Sequence, residues 1–448
     1  MRLVRFFLII LHAEMIFMKI KMHNMNRFLG CLLMAAASAT AIAQGGTNSP
    51  YSQFGLGELS YAGASQNRGM NGLGIALHHG NQVNTANPAA YAYIDSLTMI
   101  FDMGASVSLT NFQENGQKKN ARTGNFEYAV GLFRLLKNVG ASFGVAPVTD
   151  IGYEYTSSAY MEQAQSTMTT TYMGDGGLRK LYAGVAVRPV GNLSLGFNFG
   201  YLWGEYYRTA SLTGSTAMNS LHKIYSADIS SYVLDFGLQY DLRLGKSDMI
   251  TLGLTYALGH KLGSDVECSV ANANATTSKA DTTKMVIQNG LEIPHKFGAG
   301  LAYRHGNKLT VGIDGEMQRW GKIPFPAESG GTFRLKSGAL KNSYRATVGA
   351  EWVPKYNSRR LIDRIRYRLG VGYMTPYYKI GDADGPKQYS ASLGFGIPIQ
   401  NQINARSYVN VSVQWVRQAV DGLLKENTFR INVGVTFNEK WFAKWKVE

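Results

Sequence analysis

The chain has 448 residues, of which 45% are hydrophobic, 17% charged and 12% aromatic, with 50 Gly against 11 Pro and a net charge of +15. The charged fraction lies below the ~25% usual for soluble domains. A mean hydropathy of −0.13 excludes a chain built of membrane helices, each of which needs ~20 apolar residues, and the aromatic content excludes a disordered one. An all-β protein rich in Gly and aromatic residues remains, either a soluble sandwich or an outer-membrane barrel.

The chain opens on a targeting segment. Phe28 to Ala43 is apolar, follows Lys19, Lys21 and Arg27, and ends on Ala41-Ile42-Ala43, an A-x-A cleavage pattern. Residues 1–43 are therefore expected to be a signal peptide cut before Gln44, with Met18 or Met25 as alternative starts. Cys31 reads as part of the apolar core of that signal. The only other Cys is Cys268, so no internal disulfide survives in the mature chain. Removing residues 1–43 takes away five basic residues and one acid and leaves +11. For an exported chain this charge points away from nucleic acid and toward lipopolysaccharide phosphates and other anions.

Residues 44–97 lack any period-two pattern and are rich in Gly, Asn, Ser and Ala. The small residues from Arg68 to Ala76 permit close backbone packing. Turn chemistry at Asn87-Pro88, just before Ala89, favours a compact shape.

From residue 98 to 437 apolar residues recur at every second position. Leu193, Leu195, Phe197, Phe199, Tyr201 and Trp203 share one face, with Asn192, Ser194, Gly196, Asn198 and Gly200 on the other. Fourteen such segments are predicted, near 98–109, 125–136, 139–149, 179–189, 192–208, 229–243, 249–261, 294–305, 308–320, 342–354, 364–376, 387–399, 406–418 and 427–437. Their typical length of ~11 residues is that of a tilted transmembrane strand. Long connections (110–124, 150–178, 209–228, 262–293, 321–341, 377–386, 419–426) alternate, almost without exception, with short ones (137–138, 190–191, 244–248, 306–307, 355–363, 400–405). Outer-membrane barrels sort their loops in this way, with long external loops and short periplasmic turns, so the pattern predicts a 14-stranded antiparallel transmembrane barrel with both termini in the periplasm. Tyr201, Trp203, Tyr256, Tyr303, Trp352, Tyr367 and Trp415 fall near strand ends and suit interfacial girdles. Phe437 closes the last strand, as in barrels handled by the outer-membrane insertion machinery, and 438–448 reads as a periplasmic tail.

A fourteen-strand barrel preceded by Asn87-Pro88-Ala89 resembles the long-chain fatty-acid transporter (FadL) family. The run Gly69-x-x-Gly72-x-Gly74-x-Ala76 looks like that family's N-terminal hatch. The opening Asn48-Ser49-Pro50-Tyr51 looks like that of a divergent branch. The resemblance implies that residues 44–97 form a hatch inside the lumen, gated around Asn87, Pro88, Ala89, Gly69, Gly72 and Gly74. It also implies capture of a hydrophobic small molecule at the outer face and release through a gap beside a kinked strand.

Charged residues on the small-residue face, among them Asp102, Glu127, Asp241, Arg304, Asp314 and Glu351, must face inward, because Arg or Lys toward lipid costs ~2–4 kcal/mol near the midplane. Arg366, Arg368, Arg345 and Arg430 are the lumen candidates. Arg366 and Arg368 are placed ~7 Å apart by strand geometry, with Arg364 as an extension of the row. They either pair with the hatch and with one another or line the lumen for anionic head groups. Tyr153, Tyr155 and Tyr160 in a long connection read either as loop surface or as an amphipathic ligand mouth.

No catalytic residue, cofactor or metal is expected. Adjacent His78 and His79 diverge on extended backbone and lack a carboxylate or Cys partner at ligand spacing. Gly55-x-Gly57 does not sit between a strand and a helix, and no Gly-x-Ser-x-Gly elbow occurs. The reading is a monomeric passive transporter for fatty-acid-like molecules. The alternatives are an interaction or secretion-system accessory barrel and a general diffusion porin.

Overall fold

The computed structural model describes residues 46–439, except 61–62, 163–165, 215–218, 275–279, 330–331, 400–406 and 421. The expected signal peptide and the tail from residue 440 onward lie outside the described residues. Fourteen strands close on themselves. They are β1 Met99–Glu114, β2 Gln117–Leu136, β3 Val139–Pro147 with its continuation Thr149–Met161, β4 Ser166–Val190, β5 Leu193–Thr213, β6 Ser220–Arg243, β7 Asp248–Ala257, β8 Lys296–His305, β9 Leu309–Gln318, β10 Ser343–Trp352, β11 Arg366–Met374, β12 Lys387–Ile399, β13 Ser407–Ala419 and β14 Lys425–Glu439. Each pairs antiparallel with its neighbour, and β14 returns to β1 from Met99↔Glu439 to Gln113↔Lys425. Closure leaves no sheet edge at the seam, which a bilayer demands.

Side chains alternate as the pleat requires. Leu109, Val107, Phe429, Ile431, Leu393 and Leu254 are exposed on the outer wall, whereas Ser106, Asn432, Ser392 and Thr347 are buried inside. An apolar exterior around a polar, filled interior is the inverse of a soluble fold and matches a membrane barrel.

The strands differ in height. β1 to β6 include runs of 16, 20, 25, 21 and 24 residues, while β7 to β10 have 10 each. Only ~9–11 residues are needed to span, so the tall strands rise above the bilayer. This corrects the expected loops 110–124, 150–178 and 209–228. The first is a strand extension closed by Asn115-Gly116, both at positive φ. The others are hairpin extensions of β3–β4 and β5–β6. Above the short strands lie two hairpins: Val266–Ala273 with Ala280–Ile287, whose first strand also pairs with the upper part of β6, and a separate one, Phe325–Ser329 with Thr332–Lys336.

An interruption crosses the wall at β3. β3 stops at Pro147, which has no N–H to give a ladder. β2 pairs with β3 only from Ala129↔Val145 to Leu136↔Val139. Beyond Val148 the continuation pairs with β4 and, on its other side, with the two-residue strand Glu58–Leu59 of the N-terminal segment. Among the described residues no ladder joins residues 117–128 of β2 to Thr149–Met161.

Candidate functional site

The N-terminal segment fills the lumen. Its first described residue, Gly46, accepts a hydrogen bond from Asn125 Nδ2 on β2 at the long-hairpin end, beside the wall interruption. The expected periplasmic N-terminus concerns residues before Gly46, outside the described ones.

The Asn87-Pro88-Ala89 motif starts a 3₁₀ turn, Pro88–Tyr93. Asn87 Oδ1 caps it by accepting from Ala89 N (3.0 Å), and Pro88 occupies the first position, where no N–H is needed. Asn87 Nδ2 donates to the carbonyls of Ile75 (2.7 Å), Leu238 (3.2 Å) and Leu254 (3.4 Å), tying the segment to itself, β6 and β7. The strands offer bare backbone here. A Cβ added at Gly196 on β5 would meet the Pro88 and Ala89 backbone, and one at Gly237 on β6 would lie 2.8 Å from Pro88 Cδ.

The glycine run lies on the other side of the lumen. Gly69 sits against Gly394 and the Arg368 side chain, Gly72 adopts φ +85° beside Arg345, and Gly74 is enclosed by Asn67, Asn84 and Ala86. Gly74 N and Ile75 N both donate to Asp314 Oδ2, at 2.7 and 2.9 Å. Two asparagines outside the predicted gating set, Asn84 and Asn67, brace the run from within. Asn84 Nδ2 donates to Gly74 O and Leu77 O, and Asn67 Nδ2 to Leu73 O.

The inward charges meet the segment and one another. Arg366 Nη1 donates to Glu351 Oε1 (2.6 Å) and Arg368 Nε to Oε2 (2.7 Å); Arg368 also reaches Asn410 and Gln82. Arg345 donates to Asn71 O (2.7 Å), and Arg430 Nε to Ser108 Oγ (3.1 Å). Arg364 does not extend the row. It ends a short helical turn, Leu361–Arg364, in the connection before β11. A register shift between Gly104 and Ala105 lets consecutive Glu127 and Tyr128 both turn inward. Glu127 pairs with Arg68 (2.9 Å), and Tyr128 donates to Asp102, which also accepts from Ser65.

His78 Nε2 lies 3.0 Å from Asp241 Oδ1, and its ring stacks on Tyr93 with centroids 3.6 Å apart. Burial pushes its pKa down to about 4, against the opposing pull of Asp241. The ring is therefore neutral at pH 7. Because the folded pKa lies below the unfolded value of about 6.5, the unfolded chain takes up the proton first. Stability from this group is full above pH 6.5 and falls as the pH drops toward 4. His78→Gln, which keeps a donor toward Asp241, is expected to flatten that loss. Protease sensitivity of the lumen segment between pH 7 and pH 4 reads it; an unchanged profile refutes the assignment.

An apolar cluster caps the long-hairpin end of the lumen. Tyr51, Leu56, Tyr153, Tyr206, Trp320, Phe333, Tyr377 and Tyr378 form one buried apolar cluster. Phe54 stacks on Tyr378, Tyr377 Oη donates to Gly57 O, and Arg208 Nη2 donates to Gly55 O (2.6 Å). Of the expected mouth tyrosines, Tyr153 is buried here, Tyr155 stacks on Tyr172, and Tyr160 is exposed. The tyrosine density was visible in the sequence, but its convergence on residues 51–57 was not.

Beneath this lid, against the wall interruption, lies a cavity of about 200 Å³. Leu59, Pro147, Val148, Leu178, Leu202 and Val233 line it on one side; Arg68, Glu127, Lys180 and Asp235 give it a polar margin.

A closed fourteen-strand barrel with its N-terminal segment inside defines a class of outer-membrane channel folds, and solved structures share it. The chain superposes on a Pseudomonas aeruginosa FadL homologue (TM-score 0.61, 13% identity, 86% of this chain and 100% of that one). It also superposes on the Pseudomonas putida toluene transporter TodX (0.60, 16%, 86% and 100%) and on the CymD monoaromatic hydrocarbon channel (0.56, 14%, 86% and 98%). No curated protein matches the chain. The model of the family described as BamG matches residues 25–448, and the chain belongs to that family, a divergent branch beside the FadL-like barrels.

Proposed function

We propose that this protein is an outer-membrane conduit through which a hydrophobic small molecule moves passively, with residues 46–97 as the hatch and the interruption at Val148 as a lateral exit. One observation carries the reading: the cavity abuts the place where β2 and the continuation of β3 lose their ladder. Its volume is below the ~300 Å³ lower bound of drug-sized pockets, which suits an aromatic ring or part of an acyl chain. The hydrocarbon channels that share the fold support the same reading. Val148→Trp fills the opening and is expected to cut uptake of labelled toluene or oleate by at least tenfold in cells carrying equal amounts of folded barrel. Parent cells that take up neither faster than cells lacking the protein would sink the proposal.

A second reading, an interaction barrel, is favoured by the capped lumen and by the edge of β2. Among the described residues no strand pairs with 117–128 on one side, where Asn48 Nδ2 donates to Arg122 O, and such an edge accepts a partner's strand. Membership of a family distinct from the named transporters fits this reading as well. A photo-crosslinking residue at Gly124, on the outer face of that edge, separates the two: a covalent adduct with another envelope protein supports interaction, and crosslinks to lipid alone oppose it.

A further inference from the structure

The outer wall carries one feature that neither reading uses. Across five adjacent strands, β2, β1, β14, β13 and β12, register sets Lys118, Gln113, Lys425, Ala419 and Lys387 in a single cross-strand row. One step lower on the same face run Asn120, Asn111, Asn427, Arg417 and Tyr389, and below them Arg122, Leu109, Phe429, Trp415 and Ala391. The next row is Gly124, Val107, Ile431, Val413 and Leu393. These positions share the face on which Leu109, Phe429, Ile431 and Leu393 are exposed, so all four rows point away from the lumen. The wall thus grades from cations through amides and Arg to aromatic and aliphatic groups, within about 20 Å of strand length.

Lys118, Arg122, Lys387, Arg417 and Lys425 are all exposed, and none of the five forms a salt bridge among the described residues. Of the nearby carboxylates, Glu426 turns inward to Ser49 Oγ at 2.8 Å, and Asp384 forms its ion pair with Lys341 at 2.6 Å. The arrangement is not a general property of the rim. On β4, β5 and β6 the exposed outer positions near the same end carry Asp175, Glu205 and Asp228 instead, with Glu205 directly opposite Asp228.

We infer that the β12–β2 face is a binding site for a phosphorylated glycolipid of the outer leaflet. Lys118, Lys425 and Lys387 stand two strands apart in turn, about 10 Å each, too far for one phosphate to bridge. A sugar core with a phosphate at each end meets two of them at once. The amides of Gln113, Asn111, Asn120 and Asn427 face the sugar hydroxyls, and the acyl chains lie along the rows beneath. The long-hairpin end faces the outer leaflet in barrels of this kind, where such lipids reside. Charge-assisted contacts to phosphate from Lys and Arg provide the anchoring.

Native mass spectrometry of the full barrel in uncharged detergent, titrated with diphosphorylated lipid A, tests this. The expected result is a bound lipid A whose apparent affinity drops at least tenfold in the triple variant Lys118→Gln, Lys387→Gln, Lys425→Gln, while Asp175→Asn, Glu205→Gln, Asp228→Asn leaves it unchanged or raises it. Both variants alter exposed side chains, and heat-modifiable migration confirms that each is folded. Lipid A lacking one phosphate is expected to bind more weakly than the intact form. Equal binding by parent and triple variant, or equal binding of phosphatidylglycerol and lipid A, overturns the site.

Discussion

Glu351→Ala is expected to destabilise the filled barrel by about 3–5 kcal/mol, the cost of leaving buried charge without its counterion. The carboxylate lies between two guanidiniums projecting from the same face of β11. Arg366 Nη1 sits 2.6 Å from one oxygen and Arg368 Nε 2.7 Å from the other. All three side chains are buried. Without Glu351, two buried like charges about 7 Å apart face each other. The damage reaches the hatch, because Arg368 Nη2 also donates to Gln82 at 2.9 Å. The measurement is the temperature at which the folded, faster-migrating band is lost on a gel. Glu351→Gln, which keeps one acceptor oxygen but removes the charge, should fall between parent and Ala. Adding Arg368→Met to Glu351→Ala should recover part of the loss, because it removes one of the two stranded cations. An Ala variant with the parent's transition would show that the triad contributes nothing net.

The alternation that made the barrel legible has a limited reach, and that limit explains what was missed. Where a strand crosses lipid, one face must be apolar, so Leu193 to Trp203 and Phe429 to Phe437 announce themselves. β12 falls on the expected residues, 387–399. Above the bilayer both faces are wet and the constraint vanishes. Lys118 to Arg122 and Thr167 to Thr171 are strand in the structure, yet their sequence reads as loop. Inside the lumen the same rule placed the charges but not their partners. That Arg366 and Arg368 point inward follows from the cost of facing lipid. That both converge on Glu351, from the neighbouring strand, depends on register, which one sequence does not print. The wall interruption left a single local mark, Pro147 near the end of a predicted strand. The Asn-Pro-Ala turn was visible because its chemistry is local; the glycines it rests on, Gly196 and Gly237, are more than a hundred residues away in the chain.

Those two glycines carry the second large expectation: the paired substitution Gly196→Ala, Gly237→Ala should dislodge the hatch and open the pore. Both residues point inward, and the space a Cβ needs is already occupied by the Pro88 and Ala89 backbone at one site and by Asn87 and Pro88 at the other. Giving way is costly, because the wall strands are held by ladders on both edges and the obstacle is backbone at Gly196 and, at Gly237, the Asn87 amide oxygen with the proline ring beside it. Overpacking of this kind costs roughly 1–3 kcal/mol per site. The barrel itself can escape the cost by releasing the segment. Release also frees the Asn87 side chain from the Leu238 and Leu254 carbonyls, so the hatch loses its anchor together with its fit. In planar bilayers the parent should show few conductance steps and the paired variant frequent ones, with faster proteolysis between Gly69 and Ala92. Gly315→Ala is the control. It lies on β9 with nothing within 4 Å of the added Cβ, and it should behave as the parent. A paired variant that stays as closed and as protease-resistant as the parent would mean that the Asn87–Ala89 turn does not hold the hatch against this wall.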